Sequence, residues 1–394
     1  MKRILLLLLA LTLLLLPACA EQPDIENGRI HTSKVESRKT AEYGDNVYYV
    51  IGKLYRYNRK SGEIGPLCNN SCDPFSSSCM LCAVMIENAQ VVNTRLYFNG
   101  YSIETKENFF AYYDLITEET KVLLTLSSHE NAEVNRPILA DGWLYYTAQR
   151  LREGGDATNP DDYEPFVGRM PMDGGQTEFV CLIEDTYAEH PYAVIDGRVV
   201  TEYNNIFYAI DAAAGERKVL FDPEDHGFLR FIDKINYLDG YFYCLAAGEG
   251  YFESAYYPDK LGKTYLIRID AVTGEVKQLA KEPVHGLIVT DDAVYFTEQT
   301  IRHFDSPEYY TTHTQNISVS GSYEILYACD LDGGNRREVF SDPNLDLNYY
   351  WNRIIDNCLY GTIYQYDETE HKMVNFYGKV DLKTGEVTPA TEVK

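Results

Sequence analysis

Two short motifs recur in phase seven times along the 394-residue chain, and together they predict an all-β fold: a seven-bladed β-propeller of four-stranded antiparallel blades. The first motif is a turn. Asn58, Asp114, Pro171, Asp211, Asp270, Asp330 and Asp381 precede, by four residues, Gly62, Glu118, Gly175, Gly215, Gly274, Gly334 and Gly385, so six of seven copies end on glycine. The second motif lies upstream of each turn. Asp45, Asn93, Asp141, Asp196, Asp239, Asp291 and Asp356 stand four residues before Tyr49, Tyr97, Tyr145, Val200, Tyr243, Tyr295 and Tyr360. A period of roughly 50 residues with two phased turns belongs to propeller repeats rather than to helical solenoids.

In chain order, the N-terminus reads Met-Lys-Arg, then an apolar, mostly leucine run from Ile4 to Leu16, then Pro17-Ala18-Cys19. A basic start, an apolar core and a small residue at its end mark an export signal over residues 1–18. The run is shorter than the roughly 20 residues of a spanning helix. Residues 19–35 are polar and lack apolar periodicity, as a tether between a membrane and a folded body would. The propeller is expected over 36–394, with blades at 36–68, 84–126, 136–182, 191–221, 232–281, 285–341 and 351–391. An extra strand at 29–35 would be free to pair at the closure.

The fifth repeat parses most cleanly. Ile235–Leu238 and Tyr241–Cys244 flank Asp239-Gly240, a pair suited to a primed two-residue turn in which both residues take positive φ. Tyr265–Ile269 and Glu275–Leu279 flank the longer Asp270–Gly274 turn, where glycine supplies the left-handed position. Tyrosine and β-branched residues suit the pleated strands between. A four-stranded unit of this kind cannot bury its apolar face alone, so the units are expected to stack around an axis.

Both short turns of a unit then share one face of the ring, and the second-to-third-strand loops share the other with the links between blades. From the recurring Tyr or Val to the next turn anchor the separations are 9, 17, 26, 11, 27, 35 and 21 residues, which predicts long excursions in blades five, six and seven. Function concentrates in loops carried by a rigid scaffold. The fifth excursion carries Tyr251, Phe252, Tyr256 and Tyr257; the sixth carries His303, Phe304, Tyr309, Tyr310 and His313; the link into blade seven adds Tyr349, Tyr350 and Trp351. Aromatic rings with polar tips suit a peptide, protein or glycan ligand, although in a chain with 34 tyrosines such rings also line strands. His303 and His313 are open to a metal-ligand reading as well as to a surface or core one. In blade three, Asp156, Asn159, Asp161, Asp162 and Glu164 are oxygen ligands of the type calcium takes. They lack the alternate spacing and central glycine of a calcium loop, and a solvated acidic loop accounts for them.

Cys68, Cys72, Cys79 and Cys82 fall within 15 residues of the link between blades one and two. Two disulfides in an exported protein, a tetrathiolate metal site, or free and redox-active thiols all fit the spacing. Cys181, Cys244, Cys329 and Cys358 sit singly in or beside strands and read as small buried hydrophobes. Gly-x-Ser-x-Gly, His-Glu-x-x-His and phosphate-cradling Gly-x-x-x-x-Gly-Lys patterns are absent, so no catalytic residue and no cofactor is assigned. Loss of residues 1–18 would remove two positive charges from a formal charge of -25, leaving -27. Such a surface repels phosphate backbones and argues against a nucleic-acid partner. The chain is expected to be monomeric.

Leu16-Pro17-Ala18-Cys19 resembles a bacterial lipobox. The resemblance implies that Cys19 is the lipidated first residue of a mature chain anchored on the extracytoplasmic face of the cell membrane. Leu144-Tyr145-Tyr146-Thr147 and Val294-Tyr295-Phe296-Thr297-Glu298 resemble the Tyr-Trp-Thr-Asp (YWTD) blade signature of low-density-lipoprotein-receptor propellers. With the run Pro66-Leu67-Cys68, Cys72 and Cys79, the chain is similar to a group of propeller lipoproteins from anaerobic Gram-positive bacteria. In that group a His commonly follows the second Cys; here Asp73-Pro74 stand in its place, which weakens a metal reading. Tyr265–Leu279 is also similar to a pyrroloquinoline-quinone-type repeat without that family's tryptophans. These features imply a lipid-anchored extracytoplasmic binding or scaffolding propeller. An extracellular enzyme of glycan-lyase or quinoprotein type, with its site in the central channel, and an envelope assembly factor are the alternatives.

Overall fold

The computed structural model describes residues 40–51, 53–68, 81, 84–102, 105–126, 137–185, 189–251, 263–280, 284–301, 322–342, 345–347, 353–367 and 372–389. Seven antiparallel sheets follow one another along the chain, each built from contiguous sequence, and they form the seven-bladed propeller that the repeat predicts. Blade one runs from Thr40–Tyr43 to Ile64–Pro66, blade two from Val84–Val92 to Thr120–Leu126, and blade three from Ile138–Ala140 to Glu178–Leu182. Blade four runs from His190–Ile195 to Arg217–Phe221, blade five from Arg230–Leu238 to Val276–Ala280, and blade six from Val284–Val289 to Arg337–Phe340. Blade seven runs from Leu345–Leu347 to Val387–Pro389 and has five strands rather than four. Its Leu345–Leu347 and Arg353–Ile355 pair with successive parts of one long strand, Leu345 opposite Gln365 and Arg353 opposite Tyr360. The export signal, the tether and the suggested strand at 29–35 lie outside the described residues.

Local chemistry explains the turns. At Asp270 the carboxylate accepts the backbone N–H groups of Val272 and Thr273 at 2.9 and 2.8 Å, and the Gly274 N–H returns to the Asp270 carbonyl at 2.9 Å. Asn58, Asp114, Asp211 and Asp381 make the same pair of side-chain bonds. These bonds hold the Asp114, Asp211, Asp270 and Asp381 carboxyls below the usual carboxylate range. The fourth residue is left-handed at Gly62, Gly215, Gly274, Gly385 and also Glu118, with φ from 60° to 76°. Blades three and six depart from the expectation: Gly174 (φ 88°) and Gly333 (φ 85°), not Gly175 and Gly334, take the left-handed position, because these turns close one residue earlier, through Gly174 N–H to the Pro171 carbonyl and Gly333 N–H to the Asp330 carbonyl. Asp141-Gly142, Asp196-Gly197, Asp239-Gly240 and Asp356-Asn357 take positive φ at both positions, as primed turns require. Blade six instead uses a looser turn from Thr290 to Ala293.

The two turns of a blade are bonded together. In six blades the residue after the long-turn anchor donates its N–H to a carbonyl of the short turn: Arg59 to Asp45, Leu115 to Thr94, Met172 to Gly142, Ala212 to Gly197, Ala271 to Gly240 and Leu382 to Asn357, at 2.8–3.0 Å. In these blades the short and long turns therefore share one face.

Neighbouring blades interlock through a repeated device. The outer strand pair of blades two to six shifts register once, bulging out Leu123, Val180, Leu220, Leu279 and Val339. Against each bulged residue sits a turn glycine of the next blade: Gly174, Gly215, Gly274, Gly333 and Gly385 respectively. A Cβ at Gly215 would lie 2.8 Å from the Val180 carbonyl oxygen, and at Gly274 and Gly385 it would overlap the Leu220 and Val339 carbonyl oxygens. Blade one has no bulge, and the residue facing it from blade two is Glu118 instead of glycine. The recurring tyrosines complete the joints: the Tyr97 hydroxyl donates to the Met172 carbonyl at 3.4 Å and the Tyr243 hydroxyl to the Leu331 carbonyl at 3.1 Å. Between the sheets lie apolar clusters. Phe207 of blade four and Phe242 of blade five, both fully buried, stack with centroids 4.5 Å apart. Burial of each such side chain stabilises the fold by about 1.5–3 kcal/mol.

Gly274→Ala combines a left-handed alanine, costing about 1–2 kcal/mol, with displacement of the Leu220 carbonyl, costing a further 1–3 kcal/mol or so. Gly62→Ala meets open space and carries only the first cost. Urea unfolding of the two variants is expected to separate them by at least about 1 kcal/mol.

Candidate functional site

The face opposite the short turns carries the variable connections. Blade one joins its second and third strands through the single residue 52, and blade four through 204–205. Blade five uses 248–263 and blade six 302–321. Blade seven corrects the sequence expectation of three adjacent excursions. Cys358–Asp367 and Lys372–Asp381 pair from Cys358 opposite Asp381 to Asp367 opposite Lys372, leaving only 368–371 as a loop. Anchor spacing counts strand and loop residues alike, and here the 21 residues are nearly all strand.

Of the expected aromatic group, Tyr251 is described. It is half-buried at the start of the blade-five connection, its N–H bonded to the Gly248 carbonyl at 3.2 Å, and the Arg230 guanidinium lies 5.4 Å from its ring centroid. Phe252, Tyr256, Tyr257, His303, Phe304, Tyr309, Tyr310, His313, Tyr349, Tyr350 and Trp351 lie outside the described residues. So do Cys19, Cys72, Cys79 and Cys82. Cys68 is buried with Leu81 in the cluster shared by blades one and two, so both ends of the cysteine-rich link are seated in the core.

The acidic loop of blade three spends its oxygens internally. Asp162 accepts the Asp156 N–H at 2.8 Å, Asp156 accepts the Thr158 N–H and hydroxyl, and Asn159 accepts the Asp161 N–H. Glu164 is paired with Arg150 at 2.7 Å. Among the described residues no group of His, Cys, Asp and Glu is arranged to hold a metal ion, and no helix is long and apolar enough to cross a membrane.

The single cysteines behave as small apolar residues. Cys181, Cys244 and Cys329 are buried, while Cys358 is half-buried. Burial pushes the Cys181 and Cys329 thiols up to about 11 and raises Cys244 well above the ordinary thiol value.

One polar cluster centres on a buried carboxylate in the link between blades three and four. Glu189, whose side chain is wholly inaccessible, accepts the Thr201 hydroxyl at 2.6 Å and two bonds from Arg217 at 3.0 and 3.1 Å. Arg217 also reaches Glu184 at 3.2 Å, and its Cζ lies over Tyr208, 3.6 Å from the ring centroid. The cluster ties the link between blades three and four to the flank of blade four. Arg336, six residues after Asp330 as Arg217 is after Asp211, likewise lies over a tyrosine, Tyr327, and pairs with a glutamate, Glu298, at 2.6 Å; Glu189 and Arg217 are 28 residues apart, and the fold joins them.

No protein-family model matches the chain, and no curated protein matches it. Solved structures do. A puromycin hydrolase matches over 91% of this chain and 54% of its own, at 12% identity and a TM-score of 0.53. A structure from a study of two prolyl endopeptidases matches over 96% of this chain and 52% of its own, at 11% identity and a TM-score of 0.54. The β-propeller domain of the trilobed protease from Pyrococcus furiosus matches over 92% of this chain and 97% of that domain, at 14% identity and a TM-score of 0.47. The chain thus spans about half the length of the puromycin hydrolase and the prolyl endopeptidase, and at these identities the likeness is one of fold.

Arg217→Met leaves the Glu189 carboxylate buried without its partner. Loss of one member of a buried pair costs about 3–5 kcal/mol, and thermal melts of the variant are expected to show a fall of that order. Iodoacetamide at pH 8 is expected to leave Cys181, Cys244 and Cys329 unmodified in the folded protein and to label them in urea, as read by peptide mass.

Proposed function

We propose that the chain is a binding or scaffolding propeller that recognises a peptide, protein or glycan on the face carrying the 248–263 and 302–321 connections, held outside the cytoplasmic membrane by a lipid on Cys19. The observation that carries this reading is the contrast between faces. On one, every connection is a short turn fixed by its own backbone; on the other, connections range from one residue in blade one to the 20 of residues 302–321. Variation confined to one side of a rigid body is how a scaffold carries recognition. The aromatic content of those two connections supports a ligand that offers flat or apolar surface, and the acidic character supports a partner other than nucleic acid. The likeness to propellers of peptidases is compatible with this reading through fold alone.

Peptide and glycan arrays probed with the mature chain are the test. Capture of a defined ligand class, lost on replacing 252–257 or 309–313 by a Gly-Ser linker while melting temperature stays unchanged, is expected. Capture that survives both replacements rejects the proposed face. Metabolic labelling with a palmitate analogue tests the anchor: Cys19→Ser is expected to abolish labelling.

A further inference from the structure

We infer that Arg230, set against the ring of Tyr251, takes a carboxylate of a peptide ligand; the inference rests on the recognition face proposed above and names what that face reads. Arg230 opens the first strand of blade five, at the end nearest the variable connections. First strands of neighbouring blades pack on one another, Thr40–Tyr43 on Val84–Val92 and Arg230–Leu238 on Val284–Val289, so they lie innermost. Arg230 therefore stands at the mouth of the central channel.

The segment that carries it is held from several sides. Leu229 donates its N–H to the Ala247 carbonyl at 2.8 Å, and Arg230 and Phe231 pair with Ala247 and Ala246 of the second strand. From blade four, the Asn205 side-chain carbonyl accepts the Phe231 N–H at 2.9 Å, while Glu202 accepts the Asn205 N–H at 2.6 Å. Asn204 and Asn205 both take positive φ, 52° and 71°, so the loop that offers this acceptor is itself a tight turn. Phe231 is buried against Phe207 and Phe221, with centroids 5.0 and 5.9 Å away. Directly below, residues 232–234 bulge opposite the single Leu245, a break in the pleat of the kind that re-aims neighbouring side chains. The turn that carries Tyr251 is constrained as well, because a Cβ at Gly248 would overlap the Tyr265 ring. A recognition group works best when its geometry is set in advance in this way.

The chemistry then selects the ligand. A guanidinium carries five N–H donors in a planar fork, enough for a protein acceptor and a ligand carboxylate together, and an aromatic ring against its face leaves those in-plane donors pointing outward. Arg230 is half-buried, which strengthens a charge-assisted pair relative to open water. On the same rim Glu224, Asp225 and Glu249 are exposed. With a formal charge of -25 the protein repels a polyanion such as a polyuronate, whereas a peptide bearing one carboxylate and basic residues beside it meets both signs. That carboxylate is the peptide's C-terminus or an Asp or Glu side chain.

The test uses the mature chain and random octapeptides prepared with free or amidated C-termini, each with Asp and Glu included or replaced by Asn and Gln. Wild-type protein is expected to bind peptides that carry a carboxylate at least about tenfold more tightly than their fully neutralised counterparts. The arm that loses affinity, amidation or Asn/Gln replacement, identifies the carboxylate. Arg230→Met is expected to abolish the preference while melting temperature and affinity for neutralised peptides stay unchanged, and Arg230→Lys, a point charge without the fork, to retain part of it. The wild-type comparison needs no variant, so a folding defect in Arg230→Met leaves it decisive. Binding indifferent to both neutralisations, or a preference that survives in Arg230→Met, would overturn the inference and leave the recognition face standing; capture of no peptide at all would reject that face as a peptide reader and the inference with it.

Discussion

The structure depends on one fit, repeated at five joints: the turn of a blade enters the flank of the blade before it, where a bulged residue turns its backbone toward the newcomer. A bulge re-aims the strand and strengthens its local twist. The price is a close approach that only glycine tolerates at Gly215, Gly274 and Gly385. The turn must therefore be held in shape without help from its neighbour, and the anchor carboxylate does that by capping two of the turn's own amides. Bulge, glycine and carboxylate form one mechanism distributed over two blades. The same bulges also bend the outer edges, which would otherwise present flat, unpaired backbone to other chains.

This division explains what was legible in the sequence. The Asp cap and the left-handed glycine are requirements met within five residues, so they appear as a motif at Asp211 and Asp270 without knowledge of the fold. Gly175 and Gly334 misled because a preceding glycine leaves each turn free to close one residue earlier, on Gly174 and Gly333. The bulges at Val180 and Leu220 leave no local mark, since what makes them useful is a carbonyl pointing at another blade. Glu189 and Arg217 were equally invisible: each looks like an ordinary surface charge until the link between blades three and four brings them together. Blade seven was misjudged because spacing between anchors cannot distinguish a loop from a long hairpin. Of the expected binding group, Tyr251 alone falls within the described residues, and its contact with Arg230 was not foreseeable from spacing.

Regularity on one face and diversity on the other are two sides of the same arrangement. Because the short turns are locked into the joints, change there would unsettle two blades at once. The opposite face takes no part in the interlock, so the connections at 248–263 and 302–321 can vary without affecting how blades stack. The buried thiols follow the same logic: Cys181 and Cys329 sit beneath the joints and fill space there.

That every blade is made from consecutive residues bears on how the chain reaches its final form. Six joints unite segments adjacent in sequence, and their formation needs only short excursions of chain. Arg59 and Asp356, bonded across the remaining joint at 2.9 Å, are 297 residues apart, so their meeting carries the largest loop-closure entropy in the molecule. Contact order therefore favours growth along the arc from neighbour to neighbour, with closure of the circle last. Until then the two terminal blades are unfinished surfaces, the place where a second nascent copy could dock by mistake.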